Sequence, residues 1–212
     1  MPEIYDEPFS DASQIPTLLL SRVASAHVAV ALSGDAGDEL FCGYNRYHFA
    51  AKYWKYIRAL PYALRKYISS SIDVLIPFLN FISSKTTLPI NDFNFLAKVQ
   101  KIGAAFNSKD INQYYDFVTD KWNLADELLL GDFSSNDLFD SSTTNLGCEV
   151  SDLMLTDYKT YLPDDVLCKV DRASMSTSLE TRIPFLDHEL VDFVTRLPMH
   201  MKFRNGEGKW LL

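Results

Sequence analysis

The 212-residue chain is short of cysteine, of positive charge and of long apolar runs, and each shortage removes a class of protein. Its three cysteines, Cys42, Cys148 and Cys168, lie far apart with no C-x-x-C spacing, so neither a disulfide framework nor a zinc site is expected. Scattered thiols in odd number suit a reducing cytoplasm, the expected location, with each cysteine a small buried hydrophobe. Lys and Arg number 20 against 28 Asp and Glu, and a net charge of −8 argues against a broad basic face for nucleic acid or anionic membrane. The longest apolar run, near Val74 to Ile82, is interrupted by Pro77 and Asn80 and is far too short to span a bilayer. No basic region followed by an apolar stretch opens the chain, so no signal peptide is expected. His27, His48, His188 and His200 show no H-x-x-x-H spacing, and none is assigned to a metal.

What is present is dense in one place. Val28, Val30 and Leu32, with interleaved alanines, read as a buried strand over about 27–32 that breaks into Ser33-Gly34-Asp35-Ala36-Gly37-Asp38-Glu39-Leu40-Phe41-Cys42-Gly43-Tyr44. Gly34 and Gly37 permit a sharp turn, and three carboxylates crowd the strand's carboxyl end, where open α/β sheets bind ligands. Two readings stand side by side. Asp35, Asp38 and Glu39 could hold a hydrated Mg²⁺ and the phosphates it carries, or they could satisfy the free N–H groups of a helix beginning there.

Elsewhere helical periodicity dominates. Ile15, Leu18, Leu19 and Val23 form an apolar stripe on a helix whose first turn contains Pro16; another helix is expected from Glu39 to about Arg46. Tyr53, Trp54, Ile57 and Leu60 form a stripe ended by Pro61, with further helices from Tyr62, over 66–81, from Asn91 or Asn94 through Phe106, over 112–119 and over 123–130. The aromatic residues from Tyr47 to Tyr67 are expected to fill a helical core. Segments 83–89 and 132–145 read as loops, the latter with four serines and two threonines. Val150, Met154, Tyr158 and Tyr161 mark a helix leading to a turn at Leu162-Pro163, where Asp164 or Asp165 could cap the next helix. Pro184 stops any helix at Arg182, and Asp187 caps a last amphipathic helix closed by Pro198. One strand emerges, so the fold class is mainly α with a residual parallel α/β element.

Three segments together carry a resemblance. Leu162-Pro163-Asp164-Asp165-Val166-Leu167-Cys168-Lys169-Val170-Asp171-Arg172-Ala173-Ser174-Met175, with Ser178-Leu179-Glu180-Thr181-Arg182-Ile183-Pro184-Phe185-Leu186-Asp187 after it, resembles the C-terminal signature of the glutamine-dependent asparagine synthetase family. The acid-rich segment resembles that family's SGDGGDELFGGY run, and Tyr5 to Pro16 its DEPFADSSxIP block. Residues 50–145 carry no matching motif. The resemblance implies that 1–212 is the C-terminal portion of an adenine nucleotide α-hydrolase-like (ATP pyrophosphatase) synthetase domain. It also implies that the glutaminase domain and the Ser-Gly-Gly-x-Asp-Ser pyrophosphate loop are absent, since Pro2 follows Met1 and no such run occurs.

The activity implied is ATP-dependent amide formation: aspartate attacks MgATP to give β-aspartyl-AMP, and ammonia from glutamine displaces AMP. ATP and Mg²⁺ are the implied cofactors. The implied partners are small substrates and the missing N-terminal portion or a separate glutaminase, with a homo-oligomer possible. Carried over by position, Asp38 matches a Mg²⁺ carboxylate and, with Ser33 and Gly34, the nucleotide side. Asp35 matches an acid that takes a proton from ammonia, Tyr44 a tyrosine that hydrogen-bonds that acid, and Lys169 a lysine that meets the departing pyrophosphate. Ala36 and Cys42 replace glycines usual in relatives and are strained by about 1 kcal/mol or more if their φ is positive. Glu180, Arg182, Asp171 and Arg172 form a buried ion-pair network or touch substrate, and Asp6, Glu7 and Asp11 approach the substrate or serve a rigid Glu7-Pro8 turn. Relatives with this signature also amidate sugar carboxylates or close β-lactam rings. A catalytically dead helical module that packs on a partner is the reading from outside the enzyme class.

Overall fold

The computed structural model describes residues 1–7, 9–83, 93–119 and 148–212, which form two compact units, Met1–His48 with Val150–Leu212, and Phe49–Glu149. The expected helix over 123–130, the loop over 132–145, Pro8 and nearly all of the loop over 83–89 lie outside the described residues. In chain order the first unit begins with α1 (Pro2–Tyr5), α2 (Gln14–Ser25) and β1 (Val30–Leu32), followed by α3 (Gly37–Leu40) and α4 (Asn45–Phe49). From α4 the second unit runs through a π-helical stretch, Ala50–Trp54, into α5 (Lys55–Ala59), α6 (Tyr62–Ser83), α7 (Phe93–Asn107) and α8 (Ile111–Thr119). The first unit resumes with α9 (Glu149–Lys159), a π-helical stretch Leu162–Leu167, α10 (Cys168–Met175), β2 (Glu180–Arg182), a short turn of 3₁₀ helix Pro184–Leu186, α11 (His188–Arg196), α12 (Met199–Lys202), β3 (Phe203–Arg204) and β4 (Glu207–Gly208).

Helix dominates, and β1 pairs in parallel with β2, Val30 opposite Glu180 and Leu32 opposite Arg182. That second strand corrects the expectation of only one in the chain. Three residues ending in Glu and Arg carry no strand periodicity, and their pairing is fixed by the parallel partner, not by local propensity. Glu180 and Arg182 pair with each other at 2.7 Å on the surface, 54% and 66% exposed, so they are not part of a buried network.

Three helix boundaries also differ from the sequence reading. The expected helix from Glu39 to Arg46 breaks after α3, where Cys42 adopts a left-handed φ of 60°. A single helix, α6, replaces the separate starts at Tyr62 and Lys66 and carries Pro77 within it. At Leu162-Pro163 the chain does not turn. A π-helical stretch runs on from Tyr161 into α10, and neither Asp164 nor Asp165 caps with its side chain. Asn94 lies inside α7, and Asn91, the other start read from the sequence, lies outside the described residues. By contrast Asp187 caps α11 as read, its carboxylate accepting from the N–H groups of Glu189 and Leu190.

Small clusters make the core of the first unit. Tyr5, Leu18 and Ala173 pack together from α1, α2 and α10, with Ile4 and Phe9 against them. Ala36, Leu162 and Val166 form a second cluster under the acid loop, and Leu40, Phe41 and Val194 a third beside α11. In the second unit Trp54 and Phe49 stack on Tyr114, and Arg65 donates to the carbonyl of Ser108 at 2.9 Å. Of the aromatics between 47 and 67, Tyr47 and Trp54 are buried, whereas Tyr53, Tyr56, Tyr62 and Tyr67 are exposed, so only part of that stretch fills a core.

The strand expected to be buried is instead at the surface, Val28, Val30 and Leu32 each being at least 40% exposed, and of the α2 stripe Leu18 is buried while Ile15, Leu19 and Val23 are exposed. Parallel sheets are ordinarily covered on both faces, and β1 has a neighbour on one edge. Among the described residues no helix is long and apolar enough to cross a membrane. The chain is therefore expected to bind a hydrophobic dye and to associate with itself as concentration rises. A monodisperse monomer with no dye signal at high concentration would contradict that.

Candidate active site

The acid loop begins as an extension of β1. Ser33 donates its N–H to the Arg182 carbonyl at 2.9 Å, and its hydroxyl donates to the Asp35 carboxylate at 2.5 Å. The loop then enters the four-residue α3 through Ala36 at φ 66° and leaves it through Cys42 at φ 60°. Both positions are left-handed, so both bear the penalty that glycine avoids, about 1–2 kcal/mol each. Both side chains are buried, at 1% and 0% exposure, which shows where compensation comes from: Ala36 packs on Leu162 and Val166.

Asp38, on α3, meets a cation. The Lys209 ammonium lies 2.9 Å from Asp38 Oδ1, and the Lys209 N–H donates to the Phe41 carbonyl at 2.8 Å. Gly43 is what makes room, because a Cβ there would stand 1.8 Å from Asp38 Oδ1 and 2.5 Å from Lys209 Cε. A Cβ at Gly208 would likewise fall 2.0 Å from the Cys42 carbonyl oxygen. The terminal hairpin, turned at Asn205 and Gly206 with φ of 55° and 88°, is thus seated against the acid loop. Sequence reasoning missed Lys209; the Asn-Gly turn was the legible cue for the hairpin that carries it. Asp38 is a hard charged oxygen donor of the kind a hydrated Mg²⁺ takes, half-exposed, and in the free chain it is paired with the Lys209 ammonium. Among the described residues no group of three His, Cys, Asp or Glu gathers round it.

Glu39 and Tyr44 form the buried half of the site. The Tyr44 hydroxyl donates to Glu39 Oε1 at 2.7 Å, which corrects the expectation that it would bond the acid at 35. Glu39 is 2% exposed, and burial pushes its carboxyl above the usual range although the Tyr44 hydrogen bond pulls the other way. Burial, then Glu39, pushes the Tyr44 hydroxyl well above its ordinary value. The Arg46 guanidinium lies 4.2 Å from the centre of the Tyr44 ring and 5.0 Å from that of Tyr161. On its other side Arg46 meets the fully buried Asp157 at 2.6 Å, and the Tyr47 hydroxyl donates to the same oxygen.

Lys169 belongs to a second grouping. Its ammonium lies 2.6 Å from Asp11 Oδ2, and the neighbouring Arg172 pairs with Glu7 at 3.0 Å and donates to the Tyr5 carbonyl. The acids of the first sequence block therefore neutralise the cations of the third. Tyr161 stands between the groupings: burial is the main cause of a hydroxyl pushed up to about 12, and the charges of Asp11 and Glu39 both add to it. Burial would raise the Asp11 carboxyl, but hydrogen bonds from Lys169 and Ser13 outweigh it and hold Asp11 well below the usual carboxylate range. A carboxyl depressed in the fold stabilises it above its unfolded pKa of about 3.9, and that stability is lost as pH falls below it toward the folded value. Stability is expected to fall below about pH 4, with a shallower fall in Asp11→Asn; parallel acid-unfolding curves would contradict the assignment.

Geometry alone thus defines a helical protein with a small parallel sheet and an acid-rich loop at the carboxyl end of its first strand. The asparagine synthase family model matches residues 1–212, and the chain belongs to that family. It is 29% identical over 98% of its length to asparagine synthetase (glutamine-hydrolyzing) 1 of Bacillus subtilis. It is 28% identical over its whole length to a putative asparagine synthetase of Mycobacterium bovis, and 31% identical over 86% of its length to a putative asparagine synthetase 2 of Methanocaldococcus jannaschii. The chain spans 31%, 31% and 32% of the lengths of these relatives. No solved structure matches it.

Proposed function

We propose that this chain supplies the acid loop and the Lys169 helix of an asparagine synthetase that joins ammonia from glutamine to aspartate at the expense of ATP, through β-aspartyl-AMP, in a domain of the adenine nucleotide α-hydrolase-like type. The observation that carries the reading is the acid loop at the carboxyl end of β1, with Asp35, Asp38 and Tyr44 on one turn and Lys209 as counter-ion. A carboxylate is a poor acyl donor because its leaving group would be oxide. Adenylation replaces oxide by AMP, with the aspartate oxygen bonding to the α-phosphorus as the bond to pyrophosphate breaks. Mg²⁺ bound with Asp38 as one ligand would neutralise charge developing on the phosphates. Ser33 and Gly34 stand on the nucleotide side of the same turn. The Lys169 ammonium, held in waiting by Asp11, offers a compact positive charge to the leaving pyrophosphate. When ammonia attacks the acyl carbon, the surplus proton passes to the Asp35 carboxylate, which Ser33 orients. The relatives are named as asparagine synthetases, which favours aspartate over a sugar carboxylate as acceptor.

The test is ATP–pyrophosphate exchange with aspartate present. The chain alone has no Ser-Gly-Gly-x-Asp-Ser run and is expected to give none. A hybrid in which it replaces the matching segment of the Bacillus subtilis relative is expected to exchange. There Asp38→Asn should raise the Mg²⁺ requirement, with partial recovery in excess metal, while Lys169→Ala should slow adenylation by about two or three powers of ten with little change in metal dependence. A cooperatively folded hybrid without exchange, or the same metal response in both variants, would contradict these roles.

A further inference from the structure

Building on the reaction proposed above, we infer that Arg46 and Asp157 are positioning residues of this site, which fix the plane of the Tyr44 ring and so keep its hydroxyl on Glu39. Asp157, on α9, is fully buried and lies 111 residues from Arg46 in sequence. A carboxylate so placed is costly unless it is paired and hydrogen-bonded. Arg46 meets that need with Nε, which donates to Oδ2 at 2.8 Å, and with the charge carried at Nη2, 2.6 Å from the same oxygen, while the Tyr47 hydroxyl also donates there. With Nε hydrogen-bonded and Nη2 in ionic contact at the same oxygen, the guanidinium has little freedom to rotate. Its plane is in turn the platform for Tyr44 at 4.2 Å and Tyr161 at 5.0 Å, and those two rings meet edge-on, 5.9 Å apart at 77°. Tyr44 is thereby gripped through its ring while its hydroxyl reaches Glu39 at 2.7 Å. An ammonium could match the charge of Arg46, but it has neither the planar face nor the fork of donors.

The grip is measurable in the chain itself by NMR, through the hydroxyl-proton exchange of Tyr44 in protein labelled at tyrosine Cζ and assigned with Tyr44→Phe. The wild-type hydroxyl is expected to exchange slowly beside that of the exposed Tyr67. Arg46→Lys and Asp157→Asn should each speed Tyr44 exchange by about tenfold or more and leave the Tyr114 hydroxyl of the other unit unchanged, a selectivity that general destabilisation does not produce. Should Asp157→Asn fail to fold, Tyr161→Leu removes one face of the stack while keeping the ion pair, and the same acceleration is expected. Unchanged Tyr44 exchange in Arg46→Lys and Tyr161→Leu would overturn the proposal. This readout needs no turnover, so a hybrid enzyme without pyrophosphate exchange would sink the reaction assigned above and leave this result standing.

Discussion

Asp157, with no exposure to solvent, is the most deeply buried charged side chain among the described residues. Left unpaired, it would cost several kcal/mol, enough to threaten a fold whose net stability is of the order of 5–15 kcal/mol. Satisfying it draws Arg46 and Tyr47 toward α9, and that fixes where α4 begins. The segment between β1 and α4 then has to turn twice in a short length, through Ala36 and Cys42 in left-handed conformations. The buried pair and the strained turn are two aspects of one arrangement.

Strain at those two positions is offset locally. Ala36 is covered by Leu162 and Val166, and Cys42 gives its carbonyl to His48 Nε2 at 2.8 Å. Glycines are spent instead where space is short: at Gly43, facing Asp38 and Lys209, and at Gly208, against Cys42. The outcome is a loop whose acids each have a defined neighbour before any ligand arrives: Ser33 for Asp35, Lys209 for Asp38, Tyr44 for Glu39. Such preorganisation is what electrostatic catalysis draws on, because the dipoles and charges need not reorganise as charge moves.

Local chemistry was the legible part of this fold. Asp187 could be read as a cap because an Asp before an amphipathic run acts within three residues. The acid loop could be read because glycines and carboxylates follow an apolar strand at close spacing. Pairings across more than a hundred residues left no comparable trace: Lys169 with Asp11, Arg46 with Asp157, and the pairing of β1 with Glu180–Arg182. Lys169 and Asp11 each stand out in the sequence, yet nothing in a linear sequence says that one neutralises the other. Burial was misread for a related reason. Val30, Leu32, Leu19 and Val23 have the pattern of core residues, but pattern specifies a face and not what covers it.

Every role proposed for the site requires an acid loop that is already rigid in the free chain. Its backbone bonds are explicit: Leu40 N–H to Ala36, Phe41 to Gly37, Gly43 to Asp38 and Lys209 to Phe41. Residue-resolved amide hydrogen exchange reads them directly. The amides of Leu40, Phe41, Gly43 and Lys209 are expected to exchange as slowly as those of α10. Exchange within seconds at these four positions, with α10 still protected, would show a loop that is not held ready and would contradict a preorganised site.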